Sequence, residues 1–127
     1  MSYLSVTGNA DGSAGIITVD FQDILFLKSN TNESQSILVH TRGGIYYIMG
    51  LLRYWVKALN SSGCHFSIVD RGTAVNIDNV ARLDRGFKVA YFNNPSDPSS
   101  QNCTIAYHRY RLVEKELTMI NPDIVIG

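Results

Sequence analysis

FSIVDRGTAVNIDNV, residues 66–80, holds two apolar runs of strand length, 66–69 and 73–77, interrupted by Asp70-Arg71-Gly72. Branched and aromatic side chains fill both runs, so the stretch is predicted to be two strands with Arg71 on the turn between them. Upstream the period changes. Ile48, Leu52, Trp55, Val56 and Leu59 fall on one face of an amphipathic helix, which Asn60-Ser61-Ser62-Gly63 ends. Before it, residues 37–41 and 45–48 flank Arg42-Gly43-Gly44, a hairpin signature because glycine tolerates positive φ. Strand signals also lie at 16–19 and 24–27, followed by the wholly polar loop 28–36. Downstream, residues 80–83 and 87–92 read as a second hairpin over Asp84-Arg85-Gly86. The stretch 93–102 has two prolines and no apolar residue and is predicted to be an exposed loop. A short strand at 103–106 leads into a helix at about 108–119, with Val113, Leu117 and Ile120 on its apolar face and Asn121-Pro122 as its stop.

The fold class that follows is mainly β with two short helices, a β-rich α+β domain. With 127 residues there is core for one domain, assigned to 16–120. Residues 1–15, dense in Gly, Ser, Asn and Asp, read as a flexible lead-in and 121–127 as a tail.

Composition narrows the function. The formal net charge is zero, yet ten of the eleven Lys/Arg lie between Ile24 and Val113 against only five acids. Gathered on one face, that excess suits a polyanion; from charge alone an evenly solvated surface is the stronger reading. The apolar runs are too short to span a bilayer, and the first fifteen residues lack a basic and apolar leader, so a cytoplasmic protein with two reduced thiols is expected. Catalysis has no foothold. Cys64 and His65 are neighbours that point opposite ways on an extended strand. Cys64, His65, Cys103 and His108 lack the spacing of a structural zinc site, and neither a Walker-type phosphate loop nor a nucleophile elbow occurs. No enzyme activity, cofactor, metal or small-molecule substrate is therefore expected.

The order of elements, with Phe66, Arg71, Val75, Asn76, Asp78 and Val80 in one segment and Arg109-Tyr110 opening the last helix, resembles the LytTR family of bacterial transcription-regulator domains. The resemblance runs from about Ile16 to Leu117. Ile68 and Asp70 stand where that family has Arg and His, Gly72 and Thr73 where it has Ser and an aromatic, and Tyr107-His108 where it has Ser-Arg.

What the resemblance implies is an elongated antiparallel β domain whose loops enter successive major grooves of duplex DNA at a direct-repeat site, with a homodimer on the DNA as one arrangement. Three places would face DNA: the loop at 32–36, Arg71, and His108-Arg109. An arginine suits guanine O6 and N7, while Gln35 and Asn32 suit adenine. Ser34 and Ser36, with Lys28 and Arg111, would hold phosphates. Each has a competing reading. Arg71 has Asp70 and Asp78 as ion-pair partners in sequence, Arg109 has Glu114 and Glu116, and for Gln35 an ordinary solvated loop residue is the stronger reading. Asn76 reads as structural, its amide tying down the chain near Asp78 and Asn79. The alternative function is a domain of the same shape that has lost DNA binding and modulates another regulator.

Overall fold

The strand β3 (Ile24–Ser29), sequence ILFLKS, has its first four side chains buried. Successive strand residues point to opposite faces, so four buried in a row need cover on both sides. A computed structural model, which describes residues 2–30, 35–92 and 101–127, shows that cover. β3 lies between β4 (Ser36–Thr41) and β7 (Thr73–Asn76). The antiparallel sheet continues through β5 (Gly44–Met49), β1 (Tyr3–Thr7) and β2 (Ile16–Asp20) on one side and ends at β6 (Phe66–Asp70) on the other. Ile24 and Leu27 join one apolar cluster, Leu25 and Phe26 a second. A register shift between Ile24 and Phe26 explains that order, because a bulge reverses the faces of the residues beyond it.

The first cluster is closed by α1 (Leu52–Ser61), which buries Leu52 and Leu59 and packs Trp55 and Val56. The second is closed by α2 (Tyr110–Ile120), through Tyr110, Val113 and Leu117, and by a smaller sheet. That sheet consists of β8 (Arg82–Asp84), β9 (Val89–Tyr91), β10 (Asn102–Thr104) and β11 (Val125–Ile126), in the order β10-β9-β8-β11. The expected mainly β architecture with two short helices is what the chain adopts.

Four local readings change. Residues 3–7, placed in the lead-in, form β1 and pair with β2 along its whole length, burying Leu4 and Val6. Residues 125–126, placed in the tail, pair parallel with β8 while Ile124 and Ile126 rest on the second core. Ile48 belongs to β5 rather than the first helix. The chain turns at Gly50, whose φ is +121°, and Trp55 Nε1 donates to the Met49 carbonyl at 2.7 Å. A Cβ at Gly50 would come within 2.9 Å of that nitrogen, so glycine is needed there. The last helix starts later than read, because Tyr107–Arg109 form a 3-10 turn before α2. Asn76 is structural: its buried amide donates to the Ile24 carbonyl at 2.9 Å, and Asn79 donates to the same oxygen at 2.8 Å.

Candidate nucleic-acid interface

β6 is the outer strand of the large sheet, so its outward carbonyls need partners from elsewhere. The chain before α2 supplies them. The Ala106 N–H donates to the Val69 carbonyl at 2.8 Å and Arg109 Nη1 to the Ile68 carbonyl at 3.4 Å. This docks His108 and Arg109 against the edge of the sheet.

The β6–β7 turn is built with equal economy. Asp70 Oδ1 accepts from the Gly72 N–H at 2.8 Å, and the Gly72 carbonyl accepts from the Ser29 N–H at 2.8 Å. Asp70 thus serves the turn backbone, and the exposed Arg71 sits at its tip. A groove of about 730 Å³ joins these parts, lined by Ser29, Arg53, Ile68, Arg71, His108 and Arg109, with Leu51 and Leu52 completing the wall.

Neither arginine meets the acids that competed for it. Asp78 is bonded to His65 at 3.1 Å. Glu114 accepts from Arg85 Nε at 3.0 Å and from the Tyr110 hydroxyl at 3.1 Å. Among the described residues, Arg53, Arg71 and Arg109 have no carboxylate within 4.0 Å. Their charge is left for a partner.

The remaining site candidates divide. His108 lines the groove and also a neighbouring cavity, where Arg111 lies. Gln35 is exposed, with φ +63°, and its carbonyl accepts from the Gly50 N–H at 2.6 Å, beside Leu51 of the groove wall. Ser36 is only 4% exposed as the first residue of β4, so its hydroxyl is not offered at the surface as a phosphate contact. Asn32 and Ser34 lie outside the described residues. Lys28 does not join the groove. It is opposite Thr73 on β3, one residue and therefore one face away from Ser29, and its charge falls on His40 and Cys103. Arg53 is absent from the residues that sequence reasoning placed on DNA; it lies in the first turn of α1, and packing brings that turn to the groove.

Burial favours the neutral form of three titrating groups outside the groove. His40 stacks on Phe26 at 4.1 Å, and burial, outweighing its contact with Gln101, pushes its pKa below the ordinary value. Burial drives the Cys103 thiol up to about 12 and also raises that of Cys64. The two cysteines sit in different clusters. Among the described residues, no three His, Cys, Asp or Glu side chains gather as a metal site, and no helix is long and apolar enough to cross a membrane.

A strand-built domain in which three arginines share one groove at a sheet edge, with no carboxylate partner among the described residues, has the form of a nucleic-acid-binding module. The LytTr DNA-binding domain family model matches residues 14–117, and the chain belongs to that family. DNA binding in transcription regulation is the family's general role. A solved LytTr DNA-binding domain from Bacillus cereus, of a protein described as a methyl-accepting/DNA response regulator, superposes with a TM-score of 0.68. It is 14% identical and covers 92% of this chain and 97% of its own, a likeness in fold. No curated protein matches the chain.

Proposed function

We propose that this protein binds specific duplex DNA sites as a bacterial transcriptional regulator, presenting the β6 edge to the major groove. Arg71 and Arg109 read base edges, while Arg53 and His108 hold phosphates beside them. Gln35, bonded to Gly50 beside Leu51 of the groove wall, extends the contact, and Asn32 and Ser34 are further contacts proposed from the sequence alone. Two copies occupy a direct-repeat site. One observation carries this reading: two arginines from distant segments share a groove, and neither has a carboxylate within 4.0 Å among the described residues. A bidentate arginine–guanine pair contributes about 1–3 kcal/mol of discrimination, so two suffice to give a site its identity.

Selection of bound sequences from a random duplex pool tests it. The expected result is an enriched pair of direct repeats about one helical turn apart. Mobility shifts on that site should weaken for Arg71→Ala and Arg109→Ala. Normal binding by both variants would overturn the assignment of the groove, and no enrichment with no binding at low salt would leave a protein-interaction module.

A further inference from the structure

Next to the groove, on the other side of His108, lies a second concavity of about 620 Å³, lined by Arg85, Lys88, Tyr107, His108, Arg111 and Glu114. The one carboxylate among its described residues is occupied, since Glu114 accepts from Arg85 at 3.0 Å and from the Tyr110 hydroxyl at 3.1 Å. Lys88 and Arg111 have no carboxylate within 4.0 Å among the described residues, so the basin is cationic. Lys88 is also held in an unusual way. Its φ is +56°, a left-handed conformation suited to Gly or Asn, and its carbonyl is fixed by the Ile105 N–H at 2.8 Å. Its ammonium lies 5.1 Å from the rings of both Tyr107 and Tyr110 and donates to the Arg85 carbonyl at 3.3 Å. A lysine kept where a smaller residue would relax the backbone, with its head steadied between two rings, is a positioned cation.

We infer that this basin is a second phosphate-binding station, which receives the backbone of the duplex flanking the site read by the groove. The inference rests on the proposed function and extends it to residues that the groove does not use. Two features select a DNA phosphodiester. The basin's charge complements it, and the shared His108 makes basin and groove one continuous basic track. Duplex leaving the β6 edge passes over Lys88 and Arg111.

The experiment compares wild type, Lys88→Asn, Arg111→Gln and their double variant. Binding is measured on the selected site alone and on the same site lengthened by about one helical turn at each end. Asparagine tolerates the left-handed backbone, so Lys88→Asn removes the charge without adding strain. Equal melting temperatures confirm that each variant is folded. On the long duplex each single substitution should lower the slope of log affinity against log salt by about 0.9, and the double by about 1.8. On the short duplex the slopes should equal that of wild type. Unchanged slopes on both lengths, with Arg71→Gln still weakened, would overturn the basin alone. Equal losses on both lengths would overturn its flanking position. Arg71→Gln and Arg109→Gln that bind like wild type would overturn the groove reading instead. Inorganic phosphate titrated without DNA, followed by the backbone resonances of Lys88 and Tyr107, separates the other source. Saturation by phosphate with no change in the DNA slopes would assign the basin to a small phosphorylated ligand and refute the inference.

Discussion

Replacing Arg71 by glutamine separates folding from recognition, because the structure keeps the two apart at this residue. The turn is held by the Asp70 carboxylate on the Gly72 N–H and by Ser29 on the Gly72 carbonyl, so neither bond uses the arginine side chain. Arg71 is exposed and has no carboxylate within 4.0 Å among the described residues, and stability should change by less than about 0.5 kcal/mol. Binding should respond far more. A lost bidentate base contact of about 1–3 kcal/mol corresponds to about 5- to 150-fold on the selected site. A lost phosphate contact would act equally on every sequence, lowering the salt slope by about 0.9, which is about 3.5-fold between 50 and 200 mM salt. Fluorescence anisotropy on selected and scrambled duplexes at both salts resolves these outcomes. Arg71→Lys sharpens the test, since it keeps the charge and loses the planar fork: the salt slope should stay and the sequence preference should fall. Arg71→Gln with wild-type affinity on both duplexes and an unchanged melting temperature would refute the reasoning.

Acid should destabilise the protein through His40. Its folded pKa is lowered, chiefly by burial, so above the ordinary value of 6.5 the imidazole costs nothing; as pH falls through that value the unfolded chain gains a proton that the folded chain resists, and stability drops. Denaturant titrations at pH 7.5 and 5.5 should show that loss, and His40→Phe should reduce it. Cys103, with its thiol at about 12, should resist alkylation at pH 8 in the native state and react once urea unfolds the chain, as mass spectrometry would register. Asn76→Ala should cost about 1 kcal/mol, near the lower end for a buried hydrogen bond, because Asn79 still satisfies the Ile24 carbonyl. Asn76→Ala combined with Asn79→Ala should cost more than the two separately, since it orphans that oxygen; strict additivity in denaturant melts would contradict the shared contact.

Where structure follows from neighbours in sequence, it was legible. The hairpin over Gly43-Gly44, the strands around Arg71 and most of the apolar faces of α1 and α2 follow from local turn chemistry and periodicity, although Ile120 is exposed and Ile48 belongs to β5. β1 was missed because its signal is two buried residues, Leu4 and Val6, before a stretch rich in glycine and small polar side chains; pairing with β2 is what orders it. The site was half legible. Arg71 and Arg109 are 38 positions apart, and only the docking of the chain before α2 on the β6 edge brings them to one groove. Lys28 was read into the loop at 28–36, but β3 runs on through Ser29, and strand alternation then sets Lys28 on the face opposite Ser29. Arg53 had no such signal, because it reaches the groove through the packing of α1. The burial of Ser36 likewise belongs to the assembled sheet, as a polar loop residue in sequence becomes the inner start of β4.

Gly127 is stitched on both sides: its N–H donates to the Leu83 carbonyl and its own carbonyl accepts from the Arg85 N–H, each at 3.0 Å. Anything attached there departs beside the turn that carries Arg85 and Lys88. A label or tether attached at Gly127 would crowd the cationic basin, whereas one attached at Ser2, whose carbonyl accepts from the Phe21 N–H at 3.0 Å, is the better handle for tethered measurements with DNA.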